Sequence, residues 1–201
     1  MIMKLIYKGK FDGNVDSLPV KEHEKGAVKF KEFDDMKKLS VFVNVLALII
    51  TAVCFVVLYL RGGLGAFNFI GCIVSMLTLF PHELLHAVCF REDVYMYTNL
   101  KQGMMFVVGT ENMSKTRFVL MSLCPNIIFG LVPFILFLIF PEWSFLGTLG
   151  ALATGMGAGD YYNVFNCLTQ VPKGGKVYMC GMNSYWFIPD NKGEYFCLLN
   201  K

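Results

Sequence analysis

Apolar residues in this chain gather in four long blocks, 39–60, 66–90, 118–140 and 143–163, instead of recurring at the spacing of a half-buried soluble helix. Each block is close to the roughly 20 residues that carry an α-helix across a hydrocarbon core about 30 Å thick. The first is interrupted only by small hydroxyls and Asn44, and the fourth starts at Trp143, a ring suited to the headgroup level. The pattern predicts an all-α membrane protein. Its four-transmembrane-helix bundle occupies 39–170, with a polar N-terminal segment at 1–38 and a tail at 171–201. The polar lead and the length of the first block both speak against a cleaved signal peptide.

Shorter patterns lie beside these blocks. Residues 93–97 and 104–108 flank a turn-prone run at 99–103, which predicts a β-hairpin within the 91–117 loop. Residues 176–180 and 184–188 flank Gly181 and predict a second hairpin in the tail, with its aromatic rings resting on the membrane surface. Before the first block, a strand is expected at 2–7, turns near Gly13 and Pro19, and an interfacial amphipathic stretch at 30–39. The edge of the 91–117 hairpin suits strand addition by an extended polypeptide; a small sheet that covers the bundle mouth is the plainer use of the same pattern.

Charge turns the count of helices into an oriented bundle. Of 18 Lys and Arg, nine precede residue 39, four lie in the 91–117 loop (Arg91, Lys101, Lys115 and Arg117) and four in the tail, which leaves Arg61 alone for the opposite side. The positive-inside bias then places both termini and the hairpins in the cytoplasm, with the lipid bilayer as the protein's surroundings. The net charge of +3 follows from this topology, and without a Cys/His finger or a basic-aromatic stripe it implies no nucleic acid partner. Seven cysteines without a C-x-x-C pair read as reduced thiols, and Cys167, Cys180 and Cys197 are too widely spaced to suggest a second metal site.

Candidate chemistry concentrates near the end of the second block, where two of the three histidines stand in His82-Glu83-Leu84-Leu85-His86. On a helix this spacing sets His82 and His86 on one face, roughly 6 Å apart along the axis, so both can hold one zinc while Glu83 turns toward a water. Ionisable groups at the end of an apolar helix are costly unless paired, metal-bound or functional. Pro81 cannot donate an amide to the carbonyl four residues back, so a kink is expected just before the motif. The fourth block carries Gly147, Gly150, Gly155, Gly157 and Gly159 among alanines and ends at Asp160. It returns to the depth of His82 and His86, which makes Asp160 the best-placed third donor and leaves a position for water. Helix capping is the alternative role for Asp160. Cys89 follows His86 by three residues and reads mainly as a packed thiol. Asn126, placed after Cys124-Pro125 at the cytoplasmic start of the third helix, is a candidate to orient a substrate carbonyl or the ligating carboxylate. Tyr161 and Tyr162 are candidate oxyanion contacts, with interface anchoring as the alternative. His23 has no companion and is expected to face solvent.

His82-Glu83-Leu84-Leu85-His86, Met113-Ser114-Lys115 leading to Pro125, Gly157-Ala158-Gly159-Asp160 and Ser184-Tyr185-Trp186 cover most of the chain from the second helix onward. In these elements the chain resembles the Putative zincin peptidase family of small bacterial membrane proteins and, more distantly, the site-two intramembrane metalloproteases. The resemblance implies a zinc hydrolase of the bacterial cell membrane with His82 and His86 as ligands, Glu83 as the catalytic residue and Asp160 as third ligand. Unlike the site-two pattern, Asp160 follows Gly-Ala-Gly instead of an N-x-x-P run closed by Asp-Gly, and Asn126 after Pro125 is a rearranged echo of that run. The expected function is a zinc-dependent, membrane-embedded metallopeptidase acting on membrane or membrane-adjacent polypeptides near the cytoplasmic face. The competing reading is a noncatalytic, zinc-stabilised interaction subunit or transporter accessory protein, in which a fourth protein ligand would close the site.

Overall fold

The computed structural model describes residues 3–99 and 104–189. Residue 2 of the expected first strand, 100–103 of the expected hairpin turn, Cys197 and the tail lysines Lys192 and Lys201 lie outside the described residues. The helices are α1 (Met36–Gly62), α2 (Phe69–Leu77), α3 (Leu79–Val88), α4 (Lys115–Pro125), α5 (Val132–Ile139), α6 (Ser144–Met156) and α7 (Ala158–Gln170). Among the described residues two helical stretches are long and apolar enough to cross a membrane, Met36–Ala66 and Lys115–Ile139. The α2–α3 pair makes a third if its 40° bend is allowed within one span, while Ser144–Met156 is apolar but short.

The four expected blocks are thus helical, but only the first is unbroken. Pro81 explains one break: it sits in the first turn of α3, has no amide for the Leu77 carbonyl, and the chain bends at Thr78. In the third block the six residues Asn126–Leu131 form a π-helical turn directly after Pro125. In the fourth, Gly157 separates α6 from the more polar α7.

Glycines set how closely the helices meet. A Cβ at Gly147 would lie 2.6 Å from the Phe137 ring, and one at Gly150 would lie 2.5 Å from the Phe134 backbone nitrogen, so α6 packs against α5 only because both positions lack a side chain. Around this far end, Leu58, Ala66, Phe137 and Ala151 form an apolar core. At the opposite end the helices meet two small sheets through Ala87, Phe118 and Cys167 of the helices and Phe30, Val94 and Val177 of the sheet region.

The strands are β1 (Leu5–Lys10), β2 (Val28–Lys29), β3 (Val94–Asn99), β4 (Met104–Val108), β5 (Met113–Ser114), β6 (Lys176–Cys180) and β7 (Asn183–Phe187). Both expected hairpins form, β3–β4 with Met96 opposite Val107 and β6–β7 with Tyr178 opposite Tyr185. The N-terminal segment joins both: β1 runs parallel to β3 in the order β1-β3-β4, and β2 lies beside β7 in the order β2-β7-β6-β5. Three expectations for these segments change. Phe30 is buried in the core and α1 begins at Met36, so 30–39 is not one continuous interfacial stretch. Tyr178 is 1 % exposed and Phe187 is buried, so these tail rings fill the sheet core instead of resting on lipid. His23 is exposed but not solitary: its Nδ1 lies 3.0 Å from the Tyr178 hydroxyl and its ring packs on Tyr185.

Basic residues that the sequence offered as topology markers also cap helices. Arg61 donates to the Leu138 carbonyl at 2.9 Å, Lys115 to those of Leu168 and Val171, and Arg117 to that of Cys89. Each supplies a partner to carbonyls that a helix C-terminus leaves without one.

Candidate metal centre

The bend at Thr78 aims α3 across the bundle, with Glu83, His86 and Ala87 on its buried face. One helical turn separates the two histidines, and their Nε2 atoms approach to 3.1 Å. Asp160, in the first turn of α7 where the helix dipole favours an anion, faces both. Its Oδ2 lies 3.2 Å from His82 Nε2 and its Oδ1 lies 3.3 Å from His86 Nε2. The ligand atoms of His82, Glu83 and His86 all fall within 4.8 Å of one another. Glu83 is buried, with the backbone amide of Val107 in β4 facing its carboxylate.

Pro125 explains how His86 is oriented. In a regular helix the residue 125 amide would bond the Met121 carbonyl; proline has none, so that oxygen is left for His86 Nδ1 at 2.9 Å. A carbonyl only accepts, so Nδ1 carries the proton and the Nε2 lone pair is directed at His82 and Asp160. The next residue works similarly. The Asn126 amide reaches back to Leu123, which frees the Ser122 carbonyl to accept from Asn126 Nδ2 at 2.9 Å. The same nitrogen donates to Asp160 Oδ2 at 2.7 Å. Asn126 is not at the beginning of its helix, as the sequence suggested, but at the α4 end, because α4 starts at Lys115.

Two imidazole lone pairs and a carboxylate held this closely repel one another unless a cation or proton lies among them. Bonds of about 2.05 Å to a tetrahedral zinc put neighbouring donors roughly 3.3 Å apart. The two histidine nitrogens lie 3.1 Å apart and each lies 3.2 or 3.3 Å from a different oxygen of Asp160, spacings close to that requirement, and two imidazoles with a carboxylate are a donor set suited to zinc.

The remaining candidates are more dispersed. Tyr161 lies near Asp160 and Cys54, while the Tyr162 ring packs on Phe33 and Phe42. Cys89 caps α3, its Sγ directed to the Leu85 carbonyl at 3.3 Å. Sequence reasoning missed the carbonyls of Met121 and Ser122, for which Pro125 inside an apolar block was the available signal. It also missed the Glu111–Arg117 pair, which joins the loop after β4 to α4. Glu111 accepts from the Arg91 amide at 2.6 Å while Arg117 caps α3, so the segment carrying the motif is tied at its end.

A family model described as Putative zincin peptidase matches residues 75–175. The chain belongs to this family. The matched stretch begins in α2 and runs past α7, so it contains the histidine pair, the β3–β4 hairpin, Asn126 and Asp160, and leaves out α1. No curated protein and no solved structure matches the chain.

Proposed function

We propose that this protein is a zinc-dependent, membrane-embedded metallopeptidase with His82, His86 and Asp160 as metal ligands and Glu83 as general base. The observation that carries this reading is the convergence of two imidazole nitrogens and both oxygens of one carboxylate at 3.1 to 3.3 Å, beside a buried acid. Zinc bound there would supply a Lewis acid that polarises a scissile carbonyl and acidifies a water. Glu83 takes the proton of the attacking water and passes it to the leaving amine, a shuttle that its position one residue after His82 allows. Asn126 and Tyr161, both near Asp160, are available to steady that carboxylate or a polarised substrate oxygen.

The bundle would cross the membrane four times, by α1, α2–α3, α4–α5 and α6–α7, with both termini and the sheets in the cytoplasm of a bacterial cell. The 17-to-1 distribution of basic residues supports this orientation. Substrates would be membrane or membrane-adjacent polypeptides that approach from the sheet side. β4 is the outer strand of its sheet and its Val107 amide faces Glu83, so an extended segment added along β4 would run past the base.

Metal analysis of the purified protein tests the ligand set. One zinc per chain is expected, lost in Asp160→Ala; tight, unchanged zinc in that variant would remove Asp160 from the ligands. Glu83→Gln is expected to keep zinc and to slow hydrolysis of a membrane-protein substrate by about 10²–10⁴-fold. The proximity of Glu83 to both histidines favours one second reading, in which Glu83 is itself a ligand and closes a structural zinc site that holds helices together for a noncatalytic interaction or transporter accessory role. Loss of zinc from Glu83→Gln would decide for that reading.

A further inference from the structure

We propose that Asn126 and Gly157 form a positioning pair that holds the Asp160 carboxylate toward the two histidines, with Gly157 supplying the space that Asn126 needs. The proposal rests on the reading of His82, His86 and Asp160 as metal ligands.

Three features support it independently. Asn126 is 3 % exposed and starts a π-helical turn, a local widening that re-aims a side chain from the helix wall into the bundle. Its Nδ2 has two acceptors, Ser122 O at 2.9 Å and Asp160 Oδ2 at 2.7 Å, and together they fix which end of the amide faces the carboxylate. Its Oδ1 is buried with no hydrogen-bond partner among the described residues, an arrangement that is costly unless the other end of the amide makes contacts worth keeping.

Gly157 completes the pair from the neighbouring helix. A Cβ there would lie 1.6 Å from Asn126 Oδ1 and 2.5 Å from its Cγ. The amide is short, buried and bonded on its other side, so any side chain at 157 must drive it off Asp160. Gly157 also ends α6, and the helix restarts with Asp160 as the third residue of α7. The same break that admits Asn126 therefore sets the height of the carboxylate it holds. Asn126 itself lies within reach of Asp160 rather than of the histidine nitrogens and acts through that carboxylate.

Zinc affinity by chelator competition and the visible absorption of the cobalt-substituted protein, for wild type and four variants, form the test. Asn126→Asp keeps the side-chain volume but replaces the donor with an acceptor; Asn126→Ala removes it; Gly157→Ala displaces it. All three are expected to weaken zinc binding by about 10–100-fold and to change the cobalt spectrum. In the double variant the Gly157→Ala methyl enters vacated space, so it should bind zinc no worse than Asn126→Ala alone. A purely structural asparagine would lower the thermal unfolding temperature of the metal-free protein while leaving the spectrum and affinity of folded Asn126→Asp unchanged. That result, or additive losses in the double variant, would overturn the proposal. A wild type that takes up no zinc would overturn the ligand assignment and this inference with it, whereas normal zinc uptake by wild type, Asn126→Asp and Gly157→Ala would overturn the inference alone.

Discussion

At Gly147 a Cβ would meet the Phe137 ring, and at Gly157 it would meet the amide of Asn126. Both glycines belong to the same small-residue stripe, yet they serve different ends of the bundle. The far end uses the missing side chain to seat a wholly buried aromatic ring against a helix backbone, in a cluster of Leu58, Ala66, Phe137 and Ala151 whose buried polar neighbour Thr148 bonds the Ala66 carbonyl. The sheet end uses it to admit a polar group that in turn holds a carboxylate beside two histidines. A stripe of glycines in an apolar helix therefore specifies close approach and leaves open what approaches.

Substitutions should separate the two ends. The largest expected effect is at the sheet end, where His86→Ala removes one of three proposed ligands and should weaken zinc binding by about 10³-fold or more. The far end should remain intact, so the metal-free variant is expected to unfold near the temperature of metal-free wild type. Chelator competition and a thermal melt in detergent measure both, and wild-type zinc affinity would detach the histidine pair from metal binding.

Arg117 supports the sheet end from outside the site. Its guanidinium bonds the Cys89 carbonyl that ends α3 and pairs with Glu111. Burial pushes the Glu111 carboxyl up, but hydrogen bonds from Arg117 and the amides of Arg91 and Glu92 outweigh it and hold the acid below its ordinary range. Arg117→Gln leaves a buried carboxylate without its cation and should cost about 2–3 kcal/mol of stability, read from denaturant unfolding. A loss confined to stability, with zinc affinity kept, would show that the end of α3 and the metal donors are mechanically independent.

How far the sequence revealed this arrangement depends on the range of the interactions. The apolar blocks, the histidine pair, both hairpins and the bend at Pro81 are local patterns, and each has its counterpart in the fold. The parallel pairing of Leu5 with Val94 joins segments far apart in the chain, and nothing in either strand's composition names its partner. The breaks at Asn126 and Gly157 were hidden for another reason: hydropathy registers apolar length, and a π-helical turn or a glycine hinge does not interrupt it. The consequence of Pro125 was legible in principle, since a proline in an apolar helix must free a carbonyl, but its acceptor role toward His86 depends on α3 packing against α4.

At the far end, Gly147→Ala tests the other half of the comparison. Phe137 is 0 % exposed and has no room to retreat, so the added methyl should cost about 1–3 kcal/mol of stability. Zinc affinity should be unaffected. A coupled loss of zinc would mean that strain at one end reaches the other through α6, and the two ends would then be one mechanical unit.

The smallest effect concerns two acids on the sheet side that differ in their partners. Glu111 has a guanidinium; Glu32 accepts the Ser184 amide at 2.7 Å but has no side-chain cation bonded to it among the described residues, and burial lifts its carboxyl from 4.5 to about 7 against the opposing pull of that amide and of Lys29. The folded protein then binds this proton more tightly than the unfolded chain, so the stability it confers is present below about pH 4.5 and is lost as pH rises through about 7. Glu32→Gln keeps an oxygen for the Ser184 amide and has no charge to desolvate. Its unfolding free energy should match wild type near pH 4 and exceed it near pH 8, by an amount on the order of 1–2 kcal/mol once partial solvent access is allowed for. Parallel melting curves across that range would show that Glu32 titrates alike in both states, and that the sheet end tolerates an acid without a cation as readily as it holds the paired Glu111.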